Sequence, residues 1–330
     1  MTLPRIAIAL GDPAGIGPEI ALKAALDERV RSVCRPLLVG DRSVVDMHAQ
    51  LCGLTPRIRG FRKAAQIDWE GEGLAMLELN QFPAGTFALG KIRAAHGRAA
   101  CDAARAAIQA ALDGQVDAVV AAPQTETAIK LAGIEFDGYP SFVARCTGVA
   151  PEDAFLMICF DSTRIVHTTL HVSLRQAIRL ITKERVGAVI RSADAALKRI
   201  GIAKPRLAVS GLNPHAGEDG MFGSEEKEII SPAIIAAQSA GVDVAGPFGA
   251  DTMFHHAGYD AFIVMIHDQG HIAAKLQARN RTAGLTIGTP VLFSSVAHGS
   301  ALDIAGKNLA SPAAVIEAVE RLAGAAAATG

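Results

Sequence analysis

Three histidines stand where predicted β-strands end in polar turns: His171, His215 and His267. The carboxyl ends of strands are where the active sites of α/β proteins assemble. Three neutral imidazoles could hold Zn²⁺, Co²⁺ or Ni²⁺ and leave one position open for a substrate, as a catalytic metal site requires. Each histidine alone is more often an ordinary hydrogen-bonded residue. It is therefore the concurrence of three that predicts a metal site.

Nearby polar residues suggest supporting roles for this site. Asp268 or Gln269 could orient the imidazole of His267 as a hydrogen-bond acceptor. Asp251 could be another supporting carboxylate, or it could be the N-cap of a helix, and its spacing favours the cap.

Two glycine-containing turns could approach a ligand. Residues 11–19 follow the first predicted strand and open a helix, so their amides could face an anion, although a purely structural turn remains open. Residues 298–306 form a tight polar turn that could admit a nucleotide close to the backbone. There Asp303 could accept a hydrogen bond from a ribose hydroxyl.

Short β-rich runs alternate with helical stretches along the whole chain. Strands are predicted at residues 5–10, 36–39, 116–121, 155–160, 164–167, 206–209, 261–266 and 290–293. The strongest helices are predicted at residues 92–112, 183–199, 225–240 and 312–327. This alternation is typical of a doubly wound α/β fold.

A chain of 330 residues exceeds what one hydrophobic core usually organises, so two domains are expected. The favoured boundary lies at Pro123, where a predicted strand ends at a proline. The last helix is too short to stand alone and should pack on the N-terminal half. We therefore predict a discontinuous first domain of residues 1–122 plus 290–330, carrying the nucleotide-binding turn. The second domain, residues 123–289, would carry the metal ligands and the dimerisation surface.

Composition excludes several classes of partner. The formal net charge is −1 and no basic block occurs, so nucleic acid and anionic membranes are not expected as partners. Five cysteines are scattered without paired spacing, which fits a reducing compartment. The first five residues lead straight into a strand without the apolar core of a signal peptide, and no apolar run approaches membrane-span length. The sequence predicts a cytoplasmic enzyme with a small-molecule substrate.

Three motifs resemble the 4-hydroxythreonine-4-phosphate dehydrogenase family. They are Gly-Asp-Pro-Ala-Gly-Ile-Gly-Pro-Glu at 11–19, Gly-Leu-Asn-Pro-His-Ala-Gly-Glu at 211–218, and His-Asp-Gln-Gly at 267–270. The similarity covers essentially the full length. In addition, the turn at 298–306 resembles the nucleotide loop of the isopropylmalate dehydrogenases.

The resemblance implies a two-domain α/β/α, isocitrate/isopropylmalate dehydrogenase-like fold with the active site in the interdomain cleft. It implies a homodimer with this site at the subunit interface, NAD as oxidant, and a divalent metal on His171, His215 and His267. Zinc is favoured, with cobalt, manganese or magnesium as alternatives. Further roles are implied for Lys275 and Asp251 in catalysis, for Tyr139 and Ser141 in substrate binding, and for His298, Gly299, Ser300 and Asp303 in cofactor binding.

The chain departs from the family where a substrate phosphate would bind. The family's His-Thr pair is here Tyr139-Pro140, its asparagine falls at Leu285, and its arginine falls at Ser294. Each lost charge-assisted hydrogen bond would have contributed roughly 1.5–3 kcal/mol. A branch of the family with the same changes acts on the cis-dihydrodiol of terephthalate, and the chain resembles that branch at 138–141, 164–167 and 267–272.

The favoured function is NAD- and metal-dependent oxidative decarboxylation of a cis-dihydrodiol carboxylate, converting terephthalate 1,2-cis-dihydrodiol to protocatechuate and CO₂. One alternative is a decarboxylating dehydrogenase of 4-phosphohydroxythreonine or a phosphorylated sugar acid. A second alternative, from another class, is a zinc hydrolase or a non-catalytic nucleotide-binding protein.

Overall fold

The computed structural model of the chain describes residues 3–82, 87–278 and 282–324. It divides into two compact units, one formed by Met1–Thr147 with Pro290–Thr329 and the other by Gly148–Thr289. The division therefore falls after Thr147 and not at the predicted Pro123. The reason is that α5 (Glu126–Leu131) and α6 (Tyr139–Thr147) both pack on α4 (Ala94–Leu112) of the first unit. The assignment of functions to two domains stays a prediction.

Among the described residues, the first unit contains six parallel strands in the order β3-β4-β2-β1-β5-β12. Their bounds are β1 Arg5–Ala9, β2 Arg35–Gly40, β3 Ile58–Phe61, β4 Leu74–Glu78, β5 Ala118–Ala121 and β12 Phe293–Val296. β1 lies between β2 and β5, which are its neighbours on opposite sides. The carboxyl ends of β1 and β5 thus form the topological switch point where α/β sheets bind ligands.

The second unit orders its described strands β11-β6-β7-β10-β8-β9. Their bounds are β6 Phe155–Phe160, β7 Thr163–His167, β8 Arg206–Ser210, β9 Asp243–Phe248, β10 Ala261–Val264 and β11 Ala283–Ile287. β6 is antiparallel to both β7 and β11, whereas β7, β10, β8 and β9 run parallel to one another. The four parallel strands send their carboxyl ends to one edge.

Helices flank the strands of each unit. The remaining α-helices are α1 Gly17–Leu26, α2 Glu28–Val33, α3 Arg42–Leu51, α7 Leu174–Leu180, α8 Lys183–Arg199, α9 Ser231–Ser239, α10 His267–Gln277 and α11 Ala313–Leu322. A π-helical turn, Glu226–Ile230, precedes α9. As expected, α11 packs on the N-terminal half, contacting α1 and α2, and Glu320 accepts two hydrogen bonds from Arg29. The last residues of the predicted 312–327 helix lie outside the described part of the chain.

The α/β class is therefore confirmed, with mostly parallel strands flanked by helices. Alanine, valine, isoleucine and leucine fill most of the interior of each unit, as in Ile108 and Val119 of the first unit and Ile165 and Val264 of the second. Buried parallel strands require such near-continuous apolar runs. Within the described residues, no helix is both long and apolar enough to span a membrane.

Candidate active site

The exits of β7 and β10 bring two of the predicted ligands together. The two strands pair in parallel, so both leave the sheet at the same edge. Beyond them, the Thr168 amide donates to the Val264 carbonyl at 2.9 Å, and the Thr169 hydroxyl donates to the Met265 carbonyl, also at 2.9 Å. As a result the ring centroids of His171 and His267 lie 5.4 Å apart.

The first turn of α10 fixes the His267 imidazole. Its Nδ1 lies 2.7 Å from Oδ1 of Asp268. Because a carboxylate only accepts, the proton of neutral His267 resides on Nδ1 and leaves the Nε2 lone pair for a ligand. Asp268 is therefore the residue that orients the ring, whereas the side chain of Gln269 bonds to backbone groups of Met265, Ile266 and Gly211.

Two further histidines, which the sequence did not single out, belong to the same cluster. The ring of His271 stacks on that of His267 with a centroid separation of 3.7 Å and an interplanar angle of 9°. Its Nδ1 lies 3.0 Å from Nε2 of the fully buried His167, whose own Nδ1 faces the Leu156 carbonyl at 3.4 Å. A carbonyl oxygen can only accept a hydrogen bond, so the proton of His167 is on Nδ1 and its Nε2 accepts from Nδ1 of His271. His271 therefore carries its proton on Nδ1, and its Nε2 has a lone pair.

Burial keeps both of these rings neutral. It lowers the pKa of His167 to about 3, with the neighbouring His271 adding to the effect. Burial likewise lowers the pKa of His271 to about 4, and His267 contributes next. At pH 7 the pair thus forms a neutral hydrogen-bonded unit beside His267.

Gly270 allows the close approach of α10 to β7. A Cβ at this position would lie 2.4 Å from Nε2 of His167 and 2.8 Å from Cγ2 of Ile165. Real side chains do not approach so closely, so a glycine is required for the His167–His271 hydrogen bond to form as it does.

His215 does not join His171 and His267 in the single chain. Its side chain is 66% exposed and its Nδ1 lies 3.3 Å from a carboxylate oxygen of Glu218. Residues 215–219 all have positive φ, between 40° and 83°, so His215 sits in a left-handed turn. Among the described residues, no group of three or more His, Cys, Asp or Glu side chains could hold a metal ion. One chain therefore assembles two of the three predicted ligands.

The buried carboxylate of Glu226 holds the loop that carries His215. Its Oε1 accepts from the amides of Leu212 and Asn213, each at 2.8 Å, and its Oε2 accepts from the Asn213 side chain at 3.0 Å. Burial raises the pKa of Glu226. The hydrogen bonds from Asn213, and to a smaller extent the one from Leu212, outweigh this effect and hold the pKa below its usual value. Glu226 opens the π-helical turn, a feature frequent at functional sites.

A cavity of about 240 Å³ adjoins His171 and His267. Most of its wall is apolar, and Thr169 and Asp268 are its other polar residues. The apolar lining consists of Leu170, Val172, Leu174, Ala177 and Ile266. The lining contains neither lysine nor arginine, so an anionic group of a ligand here needs a cationic partner from outside the lining.

The predicted catalytic residues lie in the same unit at its surface. Lys275 is exposed on α10, one turn after His271, whose pKa its charge helps to lower. Asp251 is exposed after β9. Gly249, two residues before it, lies near the backbone of His215, since a Cβ built on Gly249 would be 3.9 Å from the Cα of His215. No described hydrogen bond makes Asp251 a helix cap. The catalytic roles of Lys275 and Asp251 stay predictions.

The predicted substrate-binding residues belong to the first unit. Tyr139 packs its ring 4.8 Å from that of Phe293, in an aromatic cluster with Phe136 and Phe142. Ser141 donates to Asp137 at the start of α6. Both side chains are thus occupied by local packing or hydrogen bonding, and their contact with substrate stays a prediction.

The predicted cofactor residues form one loop after β12. Asp303 and Gly299 are exposed, His298 is half-buried, and Ser300 is buried with its hydroxyl 3.0 Å from that of Thr125. An exposed carboxylate on a fixed loop can accept from ribose hydroxyls. The nucleotide-binding role stays a prediction.

The glycine-rich turn at 11–19 is held by hydrogen bonds within the first unit. The Ala14 amide donates to the side chain of the buried Asp12, the Gly15 amide to its carbonyl, and the Ile16 amide to the Ser300 carbonyl. These three amides are therefore engaged within the protein, and the buried carboxylate of Asp12 opposes an anion close to them.

Comparison with known families gives one match that spans most of the chain. Residues 32–322 match the family model of the pyridoxal phosphate biosynthetic protein PdxA. A protein from Symbiobacterium thermophilum, named as a D-threonate 4-phosphate dehydrogenase, is 42% identical over 96% of this chain and 95% of its own. A 1,2-dihydroxy-3,5-cyclohexadiene-1,4-dicarboxylate dehydrogenase from Comamonas is 40% identical over 96% of both chains.

Solved structures agree with these relatives. A 4-hydroxythreonine-4-phosphate dehydrogenase from Burkholderia phymatum superposes with a TM-score of 0.87 at 35% identity over 98% of both chains. A terephthalate 1,2-cis-dihydrodiol dehydrogenase from Burkholderia xenovorans LB400 gives a TM-score of 0.76 at 40% identity over 98% of both chains.

Proposed function

This chain belongs to the PdxA family of 4-hydroxythreonine-4-phosphate dehydrogenases, and from that membership we propose that it oxidatively decarboxylates a cis-dihydrodiol carboxylate with NAD. The substrate would be terephthalate 1,2-cis-dihydrodiol and the products protocatechuate, CO₂ and NADH. Dehydrogenases of this type are NAD(P)-linked and depend on a divalent metal.

The cavity beside His171 and His267 fits the carbon skeleton of the proposed substrate, because its apolar wall accommodates a cyclohexadiene ring. The two carboxylates of the diol, like a phosphate dianion, need cationic partners from outside that lining, such as the metal and Lys275. The choice against a phosphorylated substrate is therefore carried by the sequence departures. Leu285 and Ser294, which replace polar phosphate ligands of the family, are 1% and 2% exposed.

The reaction balances with NAD as the only oxidant. A hydride leaves the secondary carbinol carbon for NAD⁺ and the hydroxyl proton is released, giving a ketone next to the carbon that bears a carboxylate. This β-keto acid loses CO₂, and the remaining enol is a phenol of protocatechuate. Lys275, exposed on α10 near the histidine cluster, is the proposed carboxylate contact or proton donor, with Asp251 in a supporting role.

The single chain does not complete the metal site, since His215 lies apart from His171 and His267. We propose that the enzyme is a homodimer in which the site spans the subunit interface, so that His215 comes from the other chain. Exposed apolar side chains on α10 support such an interface: Ile272 is 58% and Leu276 is 77% exposed. The metal, for which we favour zinc, and the interdomain cleft of an isocitrate/isopropylmalate dehydrogenase-like fold stay predictions.

A phosphorylated hydroxy acid is the second candidate substrate, because a relative at 42% identity is named for D-threonate 4-phosphate. The hydrolase and non-catalytic alternatives lose support, because the relatives are named dehydrogenases.

A direct comparison of substrates tests the proposal. NADH formation would be followed with the terephthalate diol, D-threonate 4-phosphate and 4-phosphohydroxythreonine under identical conditions, with zinc, cobalt, manganese or magnesium added. We expect turnover of the diol. Turnover of a phosphorylated compound alone would overturn the proposed substrate.

A further inference from the structure

Residues 298–310, here called the nucleotide loop, include exposed residues at 299, 303 and 307–309 and are anchored near both ends. Asp303 is one of these exposed residues. Ser300 and Ala310, toward the two ends, are each only 6% exposed. The anchors come from the turn and helix that follow β1, residues 11–26 of the same unit. The loop therefore presents Asp303 on a backbone fixed by another segment.

The first anchor involves Gly15 and Ile16. The Ile16 amide donates to the Ser300 carbonyl at 2.9 Å. A Cβ on Gly15 would lie 2.6 Å from that carbonyl oxygen and 2.7 Å from the Cβ of Ser300. The loop backbone therefore occupies space that a side chain at position 15 would fill, and there the Ser300 carbonyl accepts from the Ile16 amide.

The second anchor is an ion pair that forms hydrogen bonds with one residue of the loop, Ala310. Nζ of Lys23 lies 2.7 Å from Oε1 of Glu19, and Glu19 is fully buried. The same Oε1 accepts from the Ala310 amide at 3.0 Å, while Nζ of Lys23 donates to the Ala310 carbonyl, also at 3.0 Å. Both polar backbone groups of Ala310 are therefore held by one pair.

We propose that Glu19 and Lys23 are positioning residues that set the affinity for NAD by keeping the nucleotide loop ordered around Asp303. This inference rests on the proposed function. A loop that must become ordered on binding lowers the apparent affinity by the fraction of time it spends in the competent state. Glu19 is buried and cannot touch the nucleotide, so its effect passes through the backbone of Ala310.

The test uses Glu19→Gln and Lys23→Met, with Lys23→Arg as the conservative variant. Lys198→Met is the matched control, because Lys198 forms an i,i+4 pair with Asp194 at 2.8 Å on α8 of the other unit. Hydrogen exchange of amides 299–310 without nucleotide reports loop order directly. Steady-state kinetics with saturating diol separate the KM for NAD from kcat.

We expect faster exchange across 299–310 in Glu19→Gln and Lys23→Met. If the ordered fraction falls to about one tenth, the KM for NAD rises about tenfold while kcat changes little. Lys23→Arg should restore much of the affinity, and Lys198→Met should alter neither readout. Should Glu19→Gln fail to fold by circular dichroism, Lys23→Met tests the same contact, since this side chain is 20% exposed.

Unchanged loop exchange, or faster exchange with an unchanged KM for NAD, would overturn the positioning role. Equal losses in kcat and affinity would also overturn it, because they indicate general damage. If the wild-type enzyme forms no NADH from any substrate, the proposed function falls and the NAD role with it. The exchange data would then still decide whether the pair orders the loop, so the two failures are distinguishable.

Discussion

Gln269 donates a hydrogen bond from Nε2 to the carbonyl oxygen of Gly211, 3.1 Å away. Its Oε1 accepts from the amides of Met265 and Ile266 at 2.9 and 3.1 Å. Gly211 follows β8 and Met265 follows β10, so one side-chain amide joins the exits of two neighbouring strands. These exits lead to His215 and His267.

Replacing Gln269 with alanine should destabilise the protein. Three backbone groups lose their partner, and we expect a loss of about 1–3 kcal/mol in the free energy of unfolding, measured in urea. The control is Gln109→Ala, which removes only an i,i+4 bond to Asp113 on the exposed face of α4. That change should stay within about 0.5 kcal/mol. Equal effects of the two substitutions would contradict the joining role of Gln269.

Glu226→Gln should weaken the His215 loop in a pH-dependent manner. The folded-state pKa of Glu226 lies below its usual 4.5, so its ionised form adds stability that is fully present above that pH and is lost as pH falls through the lowered pKa. At pH 7 the variant should lose about 1–3 kcal/mol of unfolding free energy. The difference from wild type should shrink below pH 4.5.

Urea unfolding at about five pH values between about pH 3 and pH 7 measures how the difference in unfolding free energy between variant and wild type changes with pH. Glu228→Gln, at an exposed position on the same turn, is the control and should show little difference at any pH. A deficit in Glu226→Gln that is constant with pH would exclude the ionised carboxylate as its source.

Leu276→Glu should dissociate the proposed dimer. Leu276 and Ile272 form an exposed apolar i,i+4 pair on α10, and a charge buried there without a partner opposes association. Sedimentation velocity should show a dimer for the wild type and a monomer for the variant. Leu131→Glu, at a site 60% exposed on α5 of the other unit, should leave the dimer intact. A wild-type monomer would refute the homodimer.

Complementation between inactive variants tests whether the metal site is shared. His215→Ala and His267→Ala should each abolish activity, yet coexpressed chains should recover about a quarter of it, because half of the dimers are mixed and each carries one intact site. The control is His171→Ala with His267→Ala. These rings lie 5.4 Å apart in one chain, so mixing should restore nothing. Recovery in the control alone, or in neither mixture, would contradict the shared site.

Periodic patterns predicted much of the fold. β6 and α8 have the predicted bounds, Phe155–Phe160 and Lys183–Arg199. Four strands were missed: β3, β4, β9 and β11. β9 contains Gly246-Pro247, a dipeptide that argues against a strand, and it is tolerated because β9 is the last strand in the order of its unit. The predicted 225–240 helix begins with a π-helical turn, which helical periodicity does not distinguish.

The candidate site was predicted only in part. The positions of His171 and His267 at strand ends predicted that they lie close together, and their ring centroids are 5.4 Å apart because parallel strands exit at one edge. Their role as metal ligands stays a prediction. His167 and His271 were missed because their hydrogen bond joins residues 104 apart in sequence, and no local spacing reports such a contact. The left-handed turn at His215 likewise depends on Glu226, whose carboxylate the intervening loop brings to Leu212 and Asn213.

Isotope-labelled substrate tests the proposed reaction most directly. Terephthalate 1,2-cis-dihydrodiol carrying ¹³C in the carboxylate next to the oxidised carbon would be incubated with enzyme, NAD and metal. Equal amounts of NADH, labelled CO₂ and unlabelled protocatechuate are predicted. NADH without labelled CO₂, or no reaction with the diol while D-threonate 4-phosphate is oxidised, would contradict the proposed function.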